Sequence, residues 1–212
     1  MADFRTLTEF QEALDKEMAW RVKEIGVFNS LSRKNEVENR SFVRAGVALT
    51  YAHWEGFVKT SSEIYLDYIR CKNLSYRKLK TCFAVFGLKY HLRTLIESKK
   101  SISNRDALDF VIDGLDCTAE FHFPSAINTQ SNLSSSVFCN IANSLSIDLA
   151  PYQAKFPLID KKLVEKRNSI AHGERITISG VDFGQLVKET LEIMRYYKTD
   201  LENAASTEAF RR

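Results

Sequence analysis

Little in this chain would break it into short pieces: only three prolines and eight glycines occur among 212 residues. Such scarcity argues against many short strands and for long helices. The four cysteines, Cys71, Cys82, Cys117 and Cys139, form no C-x-x-C pair, and their spacing fits no zinc template. They read as free thiols that pack as small hydrophobes. No apolar run approaches the roughly 20 residues that span a bilayer. The start, Met1-Ala2-Asp3-Phe4-Arg5, lacks the apolar core of a secretory leader. The expectation is a cytoplasmic protein without membrane association. Neither sign of charge dominates: 30 Lys and Arg against 27 Asp and Glu leave a net +3. That balance permits an RNA partner without indicating one, and any basic surface must be local. There is no H-E-x-x-H, no P-loop and no G-x-G-x-x-G, so neither a metal nor a cofactor is called for.

What is present is helical periodicity. Leu7, Phe10, Leu14, Met18, Val22 and Ile25 recur every three or four residues over 4–34, behind a Thr6/Glu9 capping box. Val43, Val47, Tyr51, Trp54, Val58, Tyr65 and Ile69 continue the spacing over 40–70, a helix of about 45 Å. The polar link 35–39 joins the two as an antiparallel hairpin. The middle, 72–131, is less regular. Within it Ser103 and Asp106 are expected to cap a helix carrying Leu108, Val111, Ile112 and Leu115. The stretch 118–130, with Phe121, Phe123 and Pro124, is expected to be extended or looped. Asn132 is then expected to cap a helix over 133–145. Further helices are predicted over 158–171, stopped by Gly173, and from a Ser179/Asp182 cap onward. The fold is therefore all-α, a single domain over 1–212 with a variable middle and a frayed tail over 203–212.

The motif that carries chemistry is Lys166-Arg167-Asn168-Ser169-Ile170-Ala171-His172-Gly173-Glu174. Arg167 and His172 are five residues apart, about 500° of helix or roughly 140° around the axis. They share no face of an ideal helix. They converge on one ligand only if the last turn loosens or a second chain supplies a partner. RNA is cleaved without a metal when its own 2′-hydroxyl attacks the adjacent phosphorus. That needs a base, an acid and positive charge for the phosphorane oxygens. Imidazole serves as acid or base near neutrality, and the guanidinium fork fits phosphate oxygens. Asn168 would orient a phosphate oxygen or the histidine. One imidazole cannot fill both proton-transfer roles, so a twofold dimer with a composite site is expected. On spacing alone the plainer alternative prevails, in which Arg, Asn and His simply finish a helix and pair locally.

The stretch resembles the R-x4-6-H signature of the HEPN superfamily, here Arg167-Asn168-x-x-x-His172 followed by Gly173. Ala52-His53-Trp54-Glu55-Gly56-Phe57-Val58-Lys59 is similar to the A-x-W-E-G-F-[VL]-K pattern of a prokaryotic HEPN subgroup. A looser match is Asn132-Leu133 upstream of the motif, and the order of elements agrees. The resemblance implies a HEPN-type helical bundle with a long N-terminal hairpin and an irregular middle insertion. It implies a dimer whose motif helices meet, and metal-independent endoribonuclease activity with Arg167, Asn168 and His172 as the catalytic set. It also implies a toxin or anti-phage defence effector, with an antitoxin or another defence subunit as partner. Some HEPN proteins are instead non-catalytic dimerisation or nucleotide-binding modules, many of them lacking the Arg or the His. Retention of both favours activity.

Around this set, Glu55 is expected to pair with Arg167 or with a neighbouring helix and to orient the motif. Glu174 would assist His172. Lys59, Lys161, Lys162, Lys166 and Arg175 are candidate RNA contacts. The basic run 72–80 around Tyr76 would suit single-stranded RNA or serve as an ordinary connection. His53, His91 and His122 are isolated and read as structural.

Overall fold

The computed structural model describes residues 3–32, 36–121 and 127–212, the side chains of 36–39 apart. The expected link over 35–39 is shortened by an earlier helix start at Glu36, and residues 33–35 lie outside the described part. So do His122, Phe123 and Pro124.

Helix α1 (Leu7–Leu31) starts where the capping box predicted. The Thr6 hydroxyl accepts from Glu9 N at 3.2 Å, and the Glu9 carboxylate accepts from Thr6 N at 2.9 Å. Helix α2 (Glu36–Arg70) has 35 residues, about 52 Å of helix. The two run antiparallel: Phe10 stacks near Tyr68, while Arg21 meets the carbonyl of His53. Gly56 permits that approach, since a Cβ there would lie 2.7 Å from the Arg21 guanidinium. The W-E-G-F segment thus builds the hairpin: Trp54, Phe57 and Val58 are fully buried.

The last helix, α7 (Gly180–Ser206), lies along both members of the hairpin. Its Ser179 cap is as expected, the hydroxyl accepting from Asp182 N at 3.0 Å. Tyr197 reaches across to Ser62 at 2.7 Å, and Phe138 meets Trp54 at a tilt and Tyr152 and Tyr197 edge-on in the centre of the core.

The middle region is partly helical. α3 (Thr81–Glu97) and α4 (Ser101–Asp113) form a hairpin of their own. Ser103 and Asp106 do not cap it, because the helix begins two residues earlier, after Lys100. Tyr76 is buried, its hydroxyl bonded to the backbone of Glu120, and Arg77 pairs with Asp116 at 2.8 Å. The basic run is thereby a connection and not a stacking platform. Helix α5 (Ser135–Ser144) is capped by Ser134, not by Asn132, whose side chain is engaged elsewhere.

The helix expected over 158–171 is two structures. Leu158–Val164 is a π-helix and Glu165–Ala171 is α6. The buried residues explain the wide turn: Leu158 and Ile159 recur as Leu163 and Val164, five residues on. In an α-helix a spacing of five is roughly 140° off a face, whereas i→i+5 bonding stacks both pairs on the core.

The tail corrects another expectation. Residues 203–212 are not frayed: α7 runs to Ser206, and Phe210 is fully buried between Tyr65 and Tyr68. Lys80 N donates to the Phe210 carbonyl at 2.9 Å, and Arg212 N donates to the Lys78 carbonyl at 3.1 Å. One buried aromatic outweighs the fraying entropy of a short polar terminus.

Candidate active site

Helix α6 is regular to its end. His172 N donates to the Asn168 carbonyl at 2.9 Å, Gly173 N to Ile170 at 3.1 Å and Glu174 N to Ser169 at 2.9 Å. The last two bonds form a Schellman stop, with Gly173 in the left-handed region at φ 78°. The last turn does not loosen, so Arg167 and His172 stay on different sides of α6. No hydrogen bond joins their side chains among the described residues.

Arg167 is half-buried and held from three directions. Its Nη2 donates to the Ser131 carbonyl at 2.9 Å and to Asn132 Oδ1 at 3.3 Å. Its guanidinium carbon lies 4.1 Å over the Tyr51 ring. The Tyr51 hydroxyl in turn accepts from Leu133 N at 2.6 Å. The phenol therefore ties α2 to the loop that clamps the arginine. Burial pushes the Tyr51 phenol above its ordinary pKa. Arg167 and the Leu133 N–H pull it back, and the Glu55 carboxylate adds to the rise. The buried Nε of Arg167 has no partner among the described residues. An unsatisfied donor on a fixed guanidinium is suited to an incoming anion.

His172 is exposed at the helix end, and its side chain has no partner among the described residues. Asn168 is half-buried, and its side chain has no partner among the described residues. The expected Glu55–Arg167 ion pair is absent among the described residues. Both groups instead act on the Tyr51 phenol, Glu55 lying one turn beyond it on α2. Lys59 is exposed and neighbours Glu63, whose carboxyl is raised by burial and pulled back by that lysine. Lys162 is committed to Glu189 at 3.2 Å. Lys166 borders a shallow cavity of about 200 Å³ with Lys161, Ser169 and Thr177. Glu174 and Arg175 are exposed, and Arg44 donates to the Glu174 carbonyl at 2.6 Å, holding the turn after the motif. Among the described residues no three His, Cys, Asp or Glu side chains gather around one point.

Sequence reasoning missed Tyr51, Ser131, Arg44 and Asp160. Asp160 receives Ser135 N at 2.7 Å and its hydroxyl at 2.6 Å, fixing the start of α5 beside the clamp. The i,i+4 placement of Tyr51 and Glu55 was a signal for the first. The others depend on tertiary contacts alone.

A half-buried arginine with an unpartnered Nε and an exposed histidine thus lie on the same short helix inside an all-α bundle. The sequence model of the RiboL-PSP-HEPN family matches residues 16–203, and the chain belongs to that family. HEPN domains bind RNA and often dimerise, so membership directs attention to ribonuclease chemistry at this site. No curated protein and no solved structure matches the chain. No described helix is long and apolar enough to cross a membrane.

Proposed function

We propose that the chain is a metal-independent endoribonuclease acting as a homodimer, with one site shared between two copies of Arg167, Asn168 and His172. The observation that carries this reading is the separation of roles on α6. Arg167 is fixed within its own chain, while His172 stands exposed at a regular helix end, away from it. A single chain offers one imidazole, and the reaction needs two proton-transfer groups. A twofold axis beside α6 supplies both.

In the reaction one His172 takes the proton of the 2′-hydroxyl as its oxygen bonds to phosphorus. The other gives a proton to the 5′-oxygen as the P–O5′ bond breaks. The Arg167 guanidinium holds the phosphorane oxygens. The products are a 2′,3′-cyclic phosphate and a 5′-hydroxyl. Such activity fits a toxin or anti-phage effector restrained by an antitoxin or another subunit.

The test is cleavage of RNA in EDTA, with end-group analysis, for wild type and for wild type mixed one-to-one with His172→Ala after subunit exchange. Random pairing leaves about one quarter of the dimers with two imidazoles, so activity falls to about a quarter of that of the same total of wild type. A fall to one half means that each chain cleaves by itself, and chelator-sensitive cleavage refutes the metal-free route.

A further inference from the structure

Between α3, the loop before α5 and α5 itself lies a groove of about 400 Å³. It is open on one side and within the size range of small-ligand sites. Phe86 and Ile141 supply an apolar floor, and Asn128, Gln130 and Asn140 supply three carboxamides. Lys89 stands at its edge, and no carboxylate lines it. The side chains of Gln130, Asn140 and Lys89 have no partner among the described residues. Asn128 accepts from Gln130 N at 2.8 Å, and its amide hydrogens have no acceptor among the described residues.

The groove is joined to the arginine clamp by the chain itself. Gln130 lines the groove, while Ser131 and Asn132 hold Arg167. Consecutive Cα atoms are about 3.8 Å apart, so the two features lie within roughly 8 Å along the backbone. Gln130 and Ser131 both have φ of 55°, a left-handed conformation costly for side chains with a Cβ. Two such residues in succession turn one side of the loop to Arg167 and the other to the groove.

We propose that this groove takes one unpaired nucleobase of the RNA whose phosphate sits at Arg167, and so sets the cleavage preference. Carboxamides place donor and acceptor side by side, the complement of a base edge. An aromatic and aliphatic floor supports the face of a base. The single lysine meets a flanking phosphate. A carboxylate-free lining suits a polyanion and does not suit a basic peptide. The proposal rests on the reading of the chain as an RNA-cleaving protein.

The test uses fluorescent RNA tetranucleotides of A, C, G and U with wild type, Asn140→Ala and Lys89→Ala, together with sequencing of cut sites in a randomised RNA. All three proteins are first shown to share one unfolding midpoint. Wild type is expected to prefer one base at least about tenfold, and Asn140→Ala to reduce that preference to about twofold. Lys89→Ala should weaken all four tetranucleotides alike and flatten the salt dependence. Equal binding of the four by wild type, or a preference unchanged in Asn140→Ala, overturns the proposal. Cleavage whose site preference survives Asn140→Ala defeats the groove and leaves the nuclease standing. Base-selective binding erased by Asn140→Ala, without any cleavage, defeats the nuclease and leaves the groove standing.

Discussion

Replacing Tyr51 with phenylalanine removes one oxygen and leaves the ring under Arg167 in place. The oxygen is the acceptor for Leu133 N, a buried donor with no other partner among the described residues. Orphaning such a group costs about 1–3 kcal/mol. Tyr51→Leu removes the ring as well, and with it the guanidinium stacking at 4.1 Å, worth about 0.5–2 kcal/mol more. Denaturant unfolding should therefore rank wild type, Tyr51→Phe and Tyr51→Leu in steps of roughly 1–2 kcal/mol. Because the same contacts fix the loop that holds Arg167, single-turnover RNA cleavage should fall in the same order. A misplacement that forfeits 1.4 kcal/mol of transition-state stabilisation is about tenfold in rate. Tyr51→Phe is expected to lose about tenfold and Tyr51→Leu more, with all proteins fully folded at the assay temperature. Variants that lose stability but cleave at the wild-type rate would refute the idea that the phenol positions the arginine.

Phe210→Ala should cost about 3–5 kcal/mol, because the ring is fully buried between Tyr65 and Tyr68. A drop in thermal midpoint of only a degree or two would show that the tail is ornamental. His53 sets a pH dependence. It is 3% exposed, and burial holds its imidazole below the ordinary value, ahead of the opposing pull of Glu24 2.9 Å away. The unfolded chain takes up a proton near pH 6.5 that the folded chain resists, so the contribution is complete above about pH 6.5 and is lost as the pH falls below it. Thermal midpoints between pH 7.5 and 5.0 should decline less steeply for His53→Gln than for wild type; parallel curves would contradict this.

The helical skeleton was legible in the sequence because most of it obeys one period. Phe10, Leu14, Met18 and Ile25 point inward as their spacing requires, and the caps at Thr6, Ser179 and Gly173 rest on local chemistry. What escaped was what local chemistry does not decide. Phe210 stands alone in a polar stretch, so no periodicity announces its pocket on α2. Asn132 carries a good capping side chain, but Arg167 claims it, and Ser134 caps in its place. The π-turn was written in the pairs Leu158-Ile159 and Leu163-Val164, yet an α-helical template cannot read a period of five. At the site, the motif singled out Arg167 and His172. The clamp around Arg167 joins Ser131 and Asn132, some 35 positions upstream, to Tyr51 on α2, more than a hundred positions away, and only folding brings them together.

That wide turn absorbs one residue without turning the helix that follows. A π-turn takes about one more residue than an α-turn, and Arg167 keeps its aim at Ser131, Asn132 and Tyr51. Were the segment to close into ordinary α-helix with every residue kept, everything downstream would rotate by about 100° about the helix axis. Arg167 would then swing out of reach of its three partners, and His172 would turn toward a different neighbour. Deleting one residue between Leu158 and Val164 would instead restore an α-turn with the downstream phase nearly kept. The extra residue works as slack taken up just before the motif helix.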